Sequence, residues 1–309
     1  MADDRVAEHA AEPGELRRFL LEAQPLRGNL VRLGQAWQEL RAHRAYPPLV
    51  ESLLGEAATA AVLLAATLKF SGTLTLQLAG SGRVRLLVAQ CTDDFRLRAV
   101  AHHDLLAGEV VDFATLVGSG RLAVTVQSDS SSAQYQGIVP LAGASLGECL
   151  EHYFDSSEQL PTRLKLAADG QRAAGILLQK LAEGAAGGEA AGAAVQETWE
   201  DLQAGLDALP STLLLAAAAE DVVLKVLGEH YCRLFGATPV HFACRCSPER
   251  VAALVRALGP DEAHASLREL GALTVTCEFC GRDYRYDAVD DEQLLAADGP
   301  APQLPGRLN

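Results

Sequence analysis

Between residues 47 and 68 the stretch PPLVESLLGEAATAAVLLAATL carries apolar residues at helical spacing behind a Pro-Pro entry, and it predicts one long helix. Directly after it the spacing changes. Four segments, TLTLQLAG (73–80), RVRLLVAQ (83–90), RLAVTVQS (121–128) and YQGIVPL (135–141), alternate apolar with polar positions and predict strands. Two of them are entered through the same phrase, Gly80-Ser-Gly82-Arg83 and Gly118-Ser-Gly120-Arg121. Both phrases read as glycine turns, because neither is followed by the third glycine that opens a helix in a nucleotide-binding loop.

Further along, Gly143-Ala-Ser145-Leu-Gly147 has the G-x-S-x-G spacing of a hydrolase nucleophile elbow. Its neighbours argue for a helix start instead. Ser145 and Glu148 form an S-x-x-E capping box, and Leu146, Leu150 and Phe154 follow at helical spacing. The strands around it pattern as antiparallel hairpins rather than the parallel units a hydrolase requires. Residues 162–181, TRLKLAADGQRAAGILLQKL, predict one more hairpin over an Asp169-Gly170 turn.

The composition then shifts. Residues 183–194, EGAAGGEAAGAA, are low-complexity and read as the start of a linker. Beyond them Val195, Trp199, Leu202, Leu206 and Leu209 form one narrow apolar helical stripe, flanked by Glu197, Glu200, Asp201 and Asp207 and ended by Pro210. A second helical stretch, AEDVVLKVLGEHYCRLF (219–235), carries Val223, Leu227, Leu234 and Phe235 on its apolar side. Residues 185–240 hold eight acids against two bases, an acidic amphipathic connector that is marginal without a surface to pack on. Its stripe, Val195, Trp199, Leu202, Leu206 and Leu209, is a candidate contact surface.

Composition narrows the class. Apolar residues make up 49% of the 309 but aromatic residues only 5%, so the core is aliphatic. With 26 Lys and Arg against 40 Asp and Glu the formal charge is -14, which opposes binding to a phosphate backbone. The N-terminus has no signal-peptide core, and the apolar run Ala57–Leu68, bounded by Glu56 and Lys69, is too short to span a bilayer. The expectation is a cytoplasmic protein, where paired cysteines point to metal or redox chemistry before structural disulfides.

Four of the seven cysteines stand in two tight pairs, Cys244-Arg-Cys246 and Cys277-Glu-Phe-Cys280. Four thiolates suit one tetrahedral zinc ion, and the second pair runs through Gly281 into a strand as zinc knuckles do. Between the pairs the sequence predicts two short helices, the first opened by Ser247-Pro-Glu. His241 and His264 are near but not needed once four sulfurs fill the shell. Residues 241–309 carry seven Lys and Arg against eleven Asp and Glu, the wrong sign for a nucleic-acid finger. Zinc keeps thiols in the form that oxidants attack, and each cysteine has a neighbour close enough to resolve a sulfenic acid. A structural zinc is worth ~10–16 kcal/mol of folding free energy. Disulfides closing such short loops fall at the weak end of a range of about 0–5 kcal/mol. Exchanging one for the other should unfold the tail. Two alternatives stay open: a thiol–disulfide oxidoreductase using Cys277 and Cys280, and a binding module whose zinc is purely structural. Cys91, Cys149 and Cys232 are dispersed and read as small core residues.

The pattern C-x-C-S-x-E-R…C-x-F-C-G-x-x-Y-x-[YF]-D resembles the heat shock protein 33 family. It is carried here by Cys244, Cys246, Ser247, Glu249, Arg250, Cys277, Phe279, Cys280, Gly281, Tyr284, Tyr286 and Asp287. The resemblance extends over almost the whole chain through Arg27-Gly28, Tyr46-Pro47, Leu68-Lys69-Phe70 with Gly72 and Gln77, Thr115–Gly118, Tyr135-Gln136-Gly137, and the run from Tyr153-Phe154 to Ser157–Arg163. It implies an α+β N-terminal core (1–182), a helical linker (183–240) and a zinc-binding redox-switch domain (241–309). It also implies an ATP-independent holdase rather than an enzyme, held inactive by zinc on Cys244, Cys246, Cys277 and Cys280. Oxidation would form Cys244–Cys246 and Cys277–Cys280, release the zinc, unfold switch and linker, and let a homodimer hold unfolded client proteins, with the stripe Val195, Trp199, Leu202, Leu206 and Leu209 as the candidate client or dimer contact. An Ala/Gly-rich start is a departure from the more charged linker expected of the family.

Overall fold

The computed structural model describes residues 12–22, 24–106, 108–129, 134–181, 189–258 and 272–286. Of the sequence expectations, residues 183–188 of the linker, His264, Asp287 and the second helix between the cysteine pairs (259–271) lie outside them. The chain divides into two compact units, Met1–Ala243 and Cys244–Asn309. Its class is α+β.

In the first unit the predicted helix is α2 (Pro48–Thr67), preceded by α1 (Gly34–Arg41). Pro48 occupies the first turn, where a missing N–H costs nothing, and thirteen residues of α2 are buried. At 20 residues α2 begins well before the apolar run Ala57–Leu68 and is, by length and composition alone, long enough to cross a membrane. It is instead a core helix, with 72% of its most apolar window buried inside the fold.

Around α2 runs a sheet built from β1 (Gly14–Leu21), β2 (Leu26–Arg32), β3 (Gly72–Gly80), β4 (Val84–Thr92), β5 (Arg96–His103), β6 (Gly120–Ser128), β7 (Gln134–Pro140), β8 (Thr162–Ala168), β9 (Ala173–Lys180), β10 (Cys232–Leu234) and β11 (Thr238–Phe242). Its order is β7-β6-β3-β4-β5-β11-β1-β2-β9-β8, with β10 paired beside β11 on β1. All four predicted strands and the 162–181 hairpin are present, the latter closed by Asp169 N–H donating to Arg172 O at 2.8 Å. The predicted pattern did not reach β1, β2 or β5, although Leu97, Ala99 and Ala101 alternate inward along β5. Strand β11 joins the two halves of the sheet, antiparallel to β1 and parallel to β5.

The two Gly-Ser-Gly phrases sit against each other. Short helix α3 (Phe113–Val117) ends at Gly118, whose φ of 64° favours glycine, and Ser81 N–H donates to Ser119 O at 2.9 Å. Ser145 is a helix cap. Its hydroxyl accepts from Glu148 N at 3.2 Å, Glu148 Oε2 accepts from Ala144 N at 2.8 Å, and α4 (Leu146–Tyr153) follows. The chain then makes a single π-helical turn over Phe154–Glu158.

The connector forms three helices, α5 (Glu189–Asp207), α6 (Ser211–Ala216) and α7 (Ala219–Leu227). Helix α5 thus already covers residues expected to be low-complexity linker. The second predicted helix stops short of 235: Gly228, with φ of 59°, caps α7, and Cys232–Leu234 is strand β10 instead. Glycine in the left-handed region ends the helix, and pairing to β1 then outweighs helical propensity over this short stretch.

Two apolar clusters use opposite faces of the same strands. Leu16, Val31 and Leu177 point toward α2, whereas Phe19, Leu30, Ile176 and Leu178 point toward α5–α7. Helices α5 and α7 touch closely at Gly205, where a Cβ would come within 2.2 Å of Val226 O.

Candidate metal centre

The second unit is small. Its described residues form α8 (Pro248–Leu258) and a hairpin of β12 (Leu273–Thr276) and β13 (Asp283–Tyr286). Among them only Val251, Ala252, Val255 and Tyr284 are buried. Among the described residues, then, the apolar contacts of this unit are few.

Local geometry delivers the sulfurs in pairs. Ser247 Oγ accepts from Arg250 N at 3.3 Å and starts α8 immediately after Cys246, while Arg250 Nη1 donates to Arg245 O at 2.7 Å and closes the C-x-C loop. At the hairpin end Gly281 N donates to Cys277 O at 2.8 Å and Cys277 N to Arg282 O at 2.9 Å. Gly281, with φ of 63°, makes the knuckle turn that aims Cys277 and Cys280 the same way. Tyr286 OH donates to Pro248 O at 3.2 Å and ties the hairpin to the start of α8.

All four thiols converge. Their sulfurs lie within 4.8 Å of one another, with Cys244–Cys246 at 3.4 Å, Cys244–Cys277 at 3.6 Å and Cys246–Cys280 at 3.4 Å. Four sulfurs each roughly 2.3 Å from a central ion define a tetrahedron with edges of about 3.8 Å, so the cluster could hold one metal ion. The electrostatics agree. Burial pushes the Cys244 and Cys280 thiols up. At Cys246 burial also opposes ionisation, but the adjacent Tyr284 hydroxyl and the other three thiols more than offset it and bring the value to about 7. Protons are thus shared unevenly, and four negative charges at this spacing need a cation between them.

The four cysteines predicted as ligands are therefore brought together, and the remaining three are elsewhere. Cys91 and Cys149 are fully buried in the first unit, with both thiols pushed up chiefly by burial, while Cys232 is only partly buried and so not a full core residue. His241 belongs to β11 and is exposed. The predicted client-contact stripe is not exposed: Val195, Trp199, Leu202, Leu206 and Leu209 are at most 6% accessible, and all but Val195 join the cluster under α5–α7. The acids beside them, Glu197, Glu200, Asp201 and Asp207, face outward.

Sequence reasoning missed the residues that fasten this connector to the sheet. Arg17 Nη2 meets Glu220 at 3.1 Å, and Lys165 Nζ meets the last carbonyls of α5. These pairs are separated by tens to hundreds of residues, so no local spacing signals them.

A family model described as Hsp33 protein matches residues 14–287. Curated relatives described as 33 kDa chaperonin include one from Nitrosococcus oceani, 39% identical over 93% of this chain and 96% of the relative. Another, from Chromobacterium violaceum, is 41% identical over 92% of this chain and 94% of its own length. A third, from Pseudomonas paraeruginosa, is 42% identical over 92% and 95%. Among solved structures, the crystal structure of a 33 kDa chaperonin (heat shock protein 33 homolog) from Thermotoga maritima aligns with a TM-score of 0.77 at 25% identity, covering 91% of this chain and 97% of that one.

Proposed function

The chain belongs to the Hsp33 family, and from that premise we propose that it is a redox-regulated, ATP-independent holdase chaperone. The observation that carries this reading is the convergence of four thiols within 4.8 Å in a unit with few buried apolar side chains among its described residues. Zinc is the ion proposed for Cys244, Cys246, Cys277 and Cys280, because four soft sulfur donors in a closed tetrahedral set favour it. Bound there, it would supply the cohesion that the apolar contacts do not. A reducing compartment such as the cytoplasm keeps the thiols available as ligands.

The chain's own residues do the switching. A thiolate of each pair attacks peroxide, becomes a sulfenic acid and is resolved by its near neighbour. Each disulfide takes two electrons from two thiolates and reduces one peroxide to two waters, with two protons taken up. The pairing proposed is Cys244–Cys246 and Cys277–Cys280, so two peroxides oxidise the whole set and leave the ion without donors. Such short loops restrain the chain weakly, and the unit unfolds.

Loss of this unit, with heat or another unfolding stress, is proposed to release the connector. Two apolar surfaces now hidden against each other would then face solvent. One is the stripe Val195, Trp199, Leu202, Leu206 and Leu209; the other is the sheet face of Phe19, Leu21, Leu26, Leu30, Ile176 and Leu178. Both suit sequence-tolerant contact with unfolding polypeptides, and in this reading the active form is a homodimer.

The decisive measurement compares reduced, zinc-loaded protein with peroxide-treated, warmed protein in a light-scattering assay of a denatured client on dilution. Only the oxidised form should suppress aggregation, with one zinc released per chain. Suppression by both forms, or by neither, would sink the switch. C244S/C277S should lose tightly bound zinc and hydrogen-exchange protection in α8, β12 and β13 while the first unit keeps its own thermal transition. A variant that still holds one zinc would refute the ligand assignment.

A further inference from the structure

Helix α5 ends badly for a helix. The last four carbonyls of any α-helix lack partners within it, and the negative end of its dipole favours a cation nearby. Helix α5 has no basic residue in its last turn and carries Asp207 there, an acid at the anionic end. Leu206 O accepts from Leu209 N at 3.2 Å within the chain's own turn, and the cations come from strand β8. Lys165 Nζ donates to Leu206 O at 3.2 Å and Asp207 O at 3.1 Å, and Arg163 Nη2 reaches Asp207 Oδ1 at 3.6 Å.

Those two bases are themselves held in place. Arg163 Nη1 pairs with Glu151 Oε2 of α4 at 3.0 Å, and Glu151 Oε1 accepts the Leu164 backbone N–H at 2.7 Å. Glu151 thus fixes both the Arg163 side chain and the β8 backbone between Arg163 and Lys165. The arrangement holds without being saturated: Arg163 Nε is buried with no partner among the described residues, and its contact to Asp207 is long.

We infer that Lys165 and Arg163, positioned by Glu151, form an electrostatic latch that caps α5 from the sheet and sets how readily the connector is released. The latch couples two events. Once α5 leaves the sheet its C-terminal carbonyls and Asp207 lose the cations that offset them, so undocking and fraying of the helix reinforce each other. A helix with its own basic last turn could leave the sheet intact; this one gives up its cations when it undocks. The inference rests on the connector release proposed above, and its test separates the two.

Hydrogen exchange of the α5 amides is read in the reduced, zinc-loaded full chain. K165M keeps the aliphatic stem and removes the charge, K165R keeps charge and donors, and K165E adds repulsion. Exchange in α5 should rise about 5–30-fold in K165E and less in K165M, stay near wild type in K165R, and leave β3 and β6 unchanged. Exchange in K165E within about two-fold of wild type would overturn the latch, as would a K165R that behaves like K165M. If K165E loses protection in β3 and β6 as well, K165M is decisive by the same criterion. If α5 is released in K165E but client holding in the reduced state does not rise, the latch stands and the connector-release reading falls.

Discussion

On one face of strands β1, β2, β9 and β8 lies α2; on the other lie the connector helices α5 to α7. Both layers are aliphatic and both bury large side chains completely, yet they are assembled on different terms. Helix α2 is apolar around most of its circumference and is packed by strands, α1 and α4 together. Helix α5 shows the sheet a single stripe and turns a row of acids to solvent. A helix that is apolar all round has nowhere else to go, whereas an amphipathic one can exist in contact with water. The first layer is what makes the fold; the second covers a face the fold leaves apolar.

The largest expected effect separates these layers by truncation. L54A in α2 should cost about 2–5 kcal/mol and lower the main thermal transition. L202A in α5, where Leu202 is 1% exposed against 0% for Leu54, should strip hydrogen-exchange protection from the connector while leaving that transition nearly in place. Equal losses in the main transition for both would mean one cooperative unit and would break the comparison.

A smaller effect probes the one carboxyl set among the buried positions of α2. Glu56 keeps a partly exposed edge, but burial raises it from the usual carboxylate range to about 7, and it has no ion pair among the described residues. A carboxyl whose folded value is raised binds its proton more tightly in the native state. Its stabilising contribution is therefore present below about pH 4.5 and is lost as pH rises through about 7. E56Q should accordingly gain thermal stability over wild type at pH 8 and little at pH 5, by about 1–3 kcal/mol after allowing for its partial exposure. A gain independent of pH would show that packing, not charge, decides at this position.

The smallest effect lies outside both layers. S145A removes the cap of α4 and should cost about 1 kcal/mol, restored in part by Asp or Asn at the same position. Full stability in S145A would mean that the Glu148 contact to Ala144 N alone suffices.

Much of this was legible along the chain because the signals were local. Alternation marked β3, β4, β6 and β7; Ser145 and Glu148 marked a helix start; the Cys-x-Cys and Cys-x-x-Cys spacings marked two half-sites before any contact between them was known. Where reading failed, the deciding partner was distant. Residues 232–234 have a helical pattern and become a strand because β1 offers an unpaired edge. The connector stripe asks for a surface to pack on without saying which, and β1, β2 and β9 supply it as a second apolar face.

The amino-acid sequence by itself determined the aliphatic core, the period of each long element, the acidic connector and the donor set of four sulfurs, since each depends on residue type and near spacing. The tertiary structure alone decided that both faces of β9 are covered and that Lys165 ends α5 from 41 residues away. Those facts depend on which surfaces meet once backbone pairing is satisfied, and that is a property of the whole chain rather than of any window in it.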